Sequence, residues 1–142
     1  MPSTPDLDRF LPAQQPVWDQ VLSELRAGRK RSHWMWFIFP QIRGLGHSDM
    51  ARHYAIQSRA EAEAYLAHPV LGARLRQACQ VLLDLGPDAP SVHTIFGSPD
   101  DLKLRSSMTL FAQVAEPGNC FEAVLQQYFD GAKDARTLEL LG

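Results

Sequence analysis

Apolar residues recur at the helical spacing of three and four positions along most of the chain. The first long run predicts a helix over residues 16–27 that ends at Gly28. The apolar positions on its inner face are Val17, Trp18, Val21, Leu22 and Leu25. A short helical turn over residues 7–11 is predicted before it, with Asp6 as its cap, and residues 2–5 are expected to fray.

The same period continues to the C-terminus, and capping residues mark the helix starts. Helices are predicted over residues 58–67, 69–85, 91–96, 98–114, 119–130 and 134–141, with a further turn over 50–55. Ser58 and Glu61 have the spacing of a capping box, and Asn119 is placed as an N-cap. Residues 98–101 (SPDD) combine a cap, an early proline and two acids, which favour a helix start.

One apolar run shows no clear period. Residues 34–39 (WMWFIF) are uninterrupted, and the run is too short for periodicity to separate a strand from a helix. Pro40 disfavours helical geometry at Phe39 and therefore ends the element. The fold class is predicted as all-α, with one small strand over residues 34–39 as the alternative. A length of 142 residues fits a single domain spanning residues 1–142.

Composition and charge argue against several classes of protein. Hydrophobic residues make up 45% and charged residues 21% of the chain, as in ordinary globular proteins. The net charge of −2 argues against bulk binding of nucleic acid. No run approaches the roughly 20 apolar residues of a membrane span, and the N-terminal residues lack the apolar core of a signal peptide. We therefore expect a cytoplasmic protein that does not bind membranes, and its oligomeric state stays open.

The cysteines and histidines show neither metal-ligand nor redox spacing. Cys79 and Cys120 are far apart in sequence, and we expect two small buried side chains in a reducing compartment rather than a catalytic thiol. The histidines are His33, His47, His53, His68 and His93. No metal site and no cofactor are predicted.

The densest chemistry lies between Arg29 and Gly46, where two tryptophans are flanked by basic side chains. The candidate ligand-binding residues are Arg31, His33, Trp34, Trp36, Gln41 and Arg43. Flat aromatic rings stack nucleobases and arginine forks bind phosphates, so the combination favours a small phosphorylated or nucleotide-like ligand. The loop containing Gly44 and Gly46 allows close backbone approach. The alternative is that the aromatic residues are core and the basic residues a solvated helix end.

A second motif occupies the helix predicted over residues 98–114. At about 100° per residue, the core face consists of Leu104, Met108 and Phe111, and the opposite side of Arg105, Thr109 and Ala112. Lys103 and Ser107, four positions apart, fall at the edge of the core face, with Asp100 one turn earlier and Ser106 alongside. Lys103 and Ser107 are the candidate catalytic residues, and Ser106 is a candidate ligand contact. Lys103 is alternatively an anion anchor, or a surface lysine paired with Asp100.

Both motifs resemble an uncharacterised bacterial family catalogued as domain of unknown function 1810. The matching residues are 32–41 (SHWMWFIFPQ), Gly44–Gly46, and Phe96–Gly97 through Lys103, Ser106, Ser107, Thr109, Leu110 and Phe111. The resemblance extends from about Asp6 to Leu141. Members are sometimes labelled calpastatin, but this compact, apolar chain shows no calpain-inhibitor repeat.

A more limited resemblance is to the NADAR proteins, which are small helical N-glycosidases or processors of ADP-ribose. It implies an anchoring or catalytic role for Lys103 and a stacking role for Trp34 or Trp36. The sequence lacks a clear glutamate beside the aromatic motif, which leaves a glycosidase mechanism without its acid.

Three hypotheses follow. The protein binds or hydrolyses an ADP-ribose-like or other phosphorylated nucleotide; or it is a non-catalytic module for a protein partner or a small anion; or the motifs serve only folding. A protein-binding module would expose an apolar patch over residues 34–39. A nucleotide site requires that Lys103 and the tryptophan rings border one cavity.

Overall fold

A computed structural model of the protein describes residues 7–142, and within them the chain forms ten α-helices. In chain order they are α1 (Phe10–Gln14), α2 (Trp18–Arg26), α3 (Met35–Ile38), α4 (Asp49–Tyr54), α5 (Arg59–Ala67), α6 (Leu71–Asp84), α7 (Val92–Phe96), α8 (Asp100–Val114), α9 (Cys120–Phe129) and α10 (Ala135–Leu141). The all-α prediction is confirmed. The expected fraying of residues 2–5 and the cap at Asp6 lie outside the described residues.

The apolar run at residues 34–39 is a helical turn rather than a strand. Residues 35–38 form α3, and the chain between residues 7 and 142 contains no strand. The amides of Ile38 and Phe39 donate to the carbonyls of Trp34 and Met35, and Pro40 then ends the turn. The strand alternative is wrong, because residues 35–38 are helical and pair with no extended segment in the described part of the chain. An isolated parallel bridge occurs after this run, between Ile42 and Ile56.

Two of the predicted helix caps are present. The Ser58 hydroxyl accepts from the Glu61 amide at 3.1 Å, and the Asn119 side chain accepts from the Glu122 amide at 2.9 Å. The capping box is only half formed, because the Glu61 carboxylate accepts from the Gln57 amide and the Arg9 guanidinium. Within residues 7–142, the helix predicted to start at 98–101 begins at Asp100 without a side-chain cap.

Helix α8 lies at the centre of the molecule, in contact with α5, α7, α9 and α10. The predicted core face is confirmed, since Leu104, Met108 and Phe111 are fully buried. Thr109 and Ala112, predicted on the outer side, are buried as well, so that part of the prediction is wrong. The helical period predicts a single packed face, whereas α8 is enclosed on several sides by α5, α7, α9 and α10.

The buried Thr109 side chain of α8 is accommodated by two hydrogen bonds with the backbone. The Thr109 hydroxyl donates to the Arg105 carbonyl at 2.8 Å and accepts from the Asp134 amide at 2.9 Å. This pair of bonds ties the start of α10 to α8. None of the helices described is long and apolar enough to cross a bilayer.

Candidate functional site

A cleft with a volume of about 180 Å³ lies between the segment that follows α3, helix α4 and the first turn of α8. Apolar side chains of Met35, Trp36 and Phe39 contribute to its lining. The polar side chains that line it are Gln41, Arg43, Arg52, Tyr54, Gln57 and Lys103. The cleft therefore combines an aromatic wall with three cations, and its lining within residues 7–142 contains no carboxylate.

Two backbone hydrogen bonds fix the walls of this cleft. The Arg43 amide donates to the Ile56 carbonyl at 2.9 Å, and the Ile56 amide donates to the Gln41 carbonyl at 2.8 Å. The chain between these segments forms α4, whose first turn is capped by the Ser48 hydroxyl accepting from the Ala51 amide. The bridge thus holds residues 41–43 and 55–57 side by side, with α4 closing the loop between them.

Gly46 allows the loop to approach α4. A Cβ atom at this position would lie 2.5 Å from the Ala51 Cβ, which is closer than two carbon atoms can pack. The sequence predicts a close approach of the backbone in this loop. In the structure, the backbone at Gly46 closely approaches Ala51 of helix α4.

Two lysines share one carboxylate beside the cleft. Asp100 Oδ2 lies 2.9 Å from Lys30 Nζ, and Asp100 Oδ1 lies 3.5 Å from Lys103 Nζ. Lys30 Nζ lies 5.0 Å from the centre of the Trp34 ring, and Lys103 Nζ lies 5.4 Å from that of Trp36. The resulting row is Trp34, Lys30, Asp100, Lys103 and Trp36, and it joins the two sequence motifs. Two ammonium groups facing one carboxylate leave the row with an excess of positive charge.

Only one end of this row borders the cleft. The Lys30 side chain is 7% exposed and also donates to the Ser32 carbonyl at 2.6 Å, so it serves as a structural cation. The Lys103 side chain is 28% exposed and lines the cleft with Trp36. Trp34 is 1% exposed and belongs to the core. Trp34 precedes α3 and packs into the core, whereas Trp36 lies within α3 and lines the cleft, so the two tryptophans face different environments.

The buried end of the row is anchored by Glu24, a residue on the inner face of α2. Its carboxylate accepts from the amides of Arg31 and Ser32, the Ser32 hydroxyl, the Trp34 indole at 3.1 Å and the Gln20 side chain. Burial raises the pKa of Glu24, but these hydrogen bonds outweigh it and lower the pKa to about 2. Glu24 is thus a glutamate beside the aromatic motif. The hydrogen bonds that its carboxylate accepts stabilise the ionised form, which has no proton to donate as an acid.

The structure brings together four of the nine predicted site residues. Trp36, Gln41, Arg43 and Lys103 line the cleft. The other five, Arg31, His33, Trp34, Ser106 and Ser107, do not. Arg31 and His33 are exposed, and Ser107 is fully buried with no hydrogen-bond partner for its hydroxyl among residues 7–142. The predicted Lys103–Ser107 pair is therefore not formed.

Ser106 contributes to a helix junction. The single O–H of its side chain is shared between two acceptors, the Leu102 carbonyl at 3.1 Å and the Asp134 carboxylate at 3.2 Å. The same carboxylate caps α10 by accepting from the Thr137 amide at 3.0 Å. We expect Ser106→Ala to lower the free energy of unfolding by about 1.5 kcal/mol, since one hydrogen bond to a charged group is lost. Urea unfolding measures this change, and no loss of stability would contradict the assignment.

Three residues of the cleft carry no sequence signal. Arg52, Tyr54 and Gln57 lie on or just after α4, a short helix without a recognisable motif. Glu24 could have been found, because an acid on the apolar face of an amphipathic helix requires buried donors. No group of three or more histidine, cysteine or acidic side chains that could hold a metal ion occurs in the described part of the chain.

Comparisons with known proteins place the chain among proteins of unassigned function. It is 52% identical to a conserved hypothetical protein of Mycobacterium tuberculosis whose crystal structure was solved at 1.38 Å. That match covers 96% of each chain, with a TM-score of 0.92. No curated protein matches the chain significantly. The profile of the family described as "Protein of unknown function (DUF1810)" matches residues 4–141, and the chain belongs to that family.

Proposed function

We propose that the cleft binds a small phosphorylated ligand with a flat ring, such as a nucleotide or part of one. The observation that carries the proposal is the shared border of Trp36, Lys103, Arg43 and Arg52 on one concave site. Trp36 is half-buried and offers a ring for stacking, and the three cations offer contacts to phosphate.

The charge of the site supports an anionic ligand. Neither the Arg43 nor the Arg52 guanidinium is paired with a carboxylate in the range 7–142, and both side chains are exposed. Lys103 shares Asp100 with Lys30, and Lys30 makes the shorter contact. A phosphate at the rim would therefore meet cations that are not already neutralised.

The size of the cleft limits the ligand. A volume of about 180 Å³ is below the roughly 300–1,000 Å³ of sites that enclose a drug-sized molecule. The cleft suits one ring system, with the phosphate held at the rim by Arg43 or Arg52. An ADP-ribose molecule would extend into solvent, so a mononucleotide is the better fit.

The chemistry of the lining favours binding over hydrolysis. A glycosidase needs a carboxyl group that can donate a proton near the scissile bond. Asp100 is held between two lysines, and Glu24 accepts hydrogen bonds from five groups beside the buried Trp34. Ser107 lies in the core and does not line the cleft. We therefore propose a binding site without a hydrolytic centre.

The alternative of a protein-binding surface has less support. It required an exposed apolar patch over residues 34–39, and within this run only Trp36 is more than marginally accessible. A small-anion site remains compatible with the three cations, and it differs from the proposal in that inorganic phosphate alone would suffice.

Thermal unfolding with AMP, ADP, ADP-ribose, NAD and inorganic phosphate tests the proposal. A ligand at one hundred times its Kd stabilises the protein by about 2.7 kcal/mol, which raises the Tm by several degrees. We expect AMP or ADP to raise the Tm more than phosphate does, and to quench tryptophan fluorescence through Trp36. If none of the nucleotides raises the Tm, the proposal is wrong; if phosphate alone matches AMP, the site binds a small anion.

Two variants localise the binding. Lys103→Met and Arg43→Gln are each expected to weaken binding at least about tenfold, because each removes a charge-assisted contact. Lys133→Met and Arg26→Gln remove exposed cations outside the cleft and serve as matched controls. Equal weakening in all four variants would indicate nonspecific attraction and would contradict the proposed site.

A further inference from the structure

A second cleft contains a cysteine that the first site does not involve. It lies where α5 and α6 meet the start of α9, and Cys120 lines it together with Arg76, Glu63 and Glu116. Cys120 is the first residue of α9 and is partly exposed. The expectation of two buried cysteines is therefore correct for Cys79 and wrong for Cys120.

The other cysteine lies directly beneath Cys120. Cys79 belongs to α6, which packs against α9, and its side chain is fully buried. The Cys79 thiol is within hydrogen-bonding reach of Cys120, and its Sγ also lies 3.5 Å from the Met108 sulfur. The fold thus brings two free thiols into contact, one open to solvent and the other enclosed by the core.

The surroundings of the two thiols separate their reactivity. The hydrogen bond from Cys79 lowers the pKa of Cys120, and so do the positive charge of Arg76 and the Cys120 backbone amide. Burial raises this pKa, but the net result is a pKa of about 7. Burial raises the pKa of Cys79, and its hydrogen bond to Cys120 raises it further. The thiolate is the nucleophilic form, so the accessible thiol is also the more reactive one.

We propose that Cys120 and Cys79 form an oxidation site for small hydroperoxides, at which Cys120 reacts first and Cys79 then closes an intramolecular disulfide. In the first step the Cys120 thiolate attacks the terminal peroxide oxygen, the O–O bond breaks, and hydroxide or alkoxide leaves. Cys120 becomes a sulfenic acid. In the second step the Cys79 sulfur attacks the Cys120 sulfur, water leaves with the Cys79 proton, and the S–S bond forms. The peroxide is reduced, and the two thiols are oxidised by two electrons.

Hydrogen peroxide and intact-mass analysis test the proposal on the whole chain. The wild-type protein is expected to lose the mass of two hydrogen atoms, to lose both titratable thiols, and to form no disulfide between chains in the absence of reductant. Peptide mapping is expected to find residues 79 and 120 linked. Gain of two or three oxygen atoms on one cysteine, a disulfide between chains, or survival of both thiols would overturn the proposal.

Two variants test the order of events. Cys79→Ala is expected to gain one oxygen atom at Cys120, which dimedone traps, because no second thiol can displace it. Cys120→Ala is expected to keep its remaining thiol at the same dose of peroxide. Oxidation of Cys120→Ala at the wild-type rate would overturn the assignment. If Cys79→Ala fails to fold, the mass and thiol content of the oxidised wild type still show whether the intramolecular disulfide forms.

The pH dependence of alkylation adds an independent readout. The rate of Cys120 alkylation by iodoacetamide is expected to be half-maximal near pH 7, compared with about 8.5 for an ordinary cysteine. The charged groups facing the thiol are Arg76, Glu63 and Glu116, and Cys79 lies beneath it. Arg76→Gln should move the midpoint upward, whereas Arg74→Gln on the same helix should not. A wild-type midpoint at the ordinary value would contradict the role assigned to these neighbours.

Discussion

Replacing Glu24 with alanine is expected to lower the free energy of unfolding by about 3 kcal/mol or more. Glu24 is 4% exposed, and its carboxylate accepts hydrogen bonds from five donors. Its removal leaves the Trp34 indole and two backbone amides without their acceptor inside the protein. A buried donor without a partner loses its hydration and gains nothing in return.

The same carboxylate predicts a specific dependence of stability on pH. The pKa of Glu24 falls from 4.5 to about 2 on folding, which corresponds to about 3 kcal/mol of stabilisation. Because the pKa is lower in the folded state, this stabilisation is complete above pH 4.5 and is lost as the pH falls toward 2. The difference in stability between the wild type and Glu24→Ala should shrink over that interval.

Urea unfolding at a series of pH values measures both effects. Glu63→Gln is the matched control, because Glu63 is an exposed glutamate at the second cleft. We expect this variant to change the stability by less than about 0.5 kcal/mol and to follow the wild-type pH profile. A Glu24→Ala variant as stable as Glu63→Gln would refute the role given to the carboxylate.

Gly72→Ala is expected to destabilise the protein by about 3 kcal/mol, although alanine is the better helix former. Gly72 is the second residue of α6 and packs against the end of α5. A Cβ atom there would lie 2.1 Å from the Leu66 carbonyl oxygen and 2.9 Å from Arg76 Nη1. The arginine can move, but the Leu66 oxygen belongs to the backbone, so the two helices would have to separate.

The neighbouring residue provides the control for this prediction. Ala73 is exposed, and Ala73→Gly should lower the stability by about 1 kcal/mol through helix propensity alone. Propensity by itself would make Gly72→Ala stabilising. Thermal unfolding separates the two explanations, and a higher Tm for Gly72→Ala would show that the contact between α5 and α6 relaxes freely.

Features that depend on neighbouring residues could be predicted from the sequence. The caps at Ser58 and Asn119 follow from bonds that span three residues, and the burial of Leu104 and Met108 follows from the helical period. Trp36 and Lys103 were both identified as candidates, because their chemistry is visible in their side chains. The pairing of Asp100 with Lys103 also follows from adjacent turns of one helix.

Features that depend on distant contacts could not be predicted. The helical period predicts Ser107 at the edge of the core face, but the helices around α8 enclose it. Arg52 joins Arg43 and Lys103 in the lining of the first cleft because the bridge between Ile42 and Ile56 positions α4 beside it. No local sequence pattern predicts that bridge. The contact between Cys79 and Cys120 arises only because α6 and α9 pack together.

The sequence by itself determined the helical class, most helix boundaries and the residue types available for binding an anion, because hydrogen bonds and caps within a helix are local. The tertiary structure decided which tryptophan faces the cleft, which lysine stays accessible beside Asp100 and which serine is buried. Those outcomes depend on which side chains are buried when helices that are distant in sequence pack together. The residues of a single segment do not determine this packing.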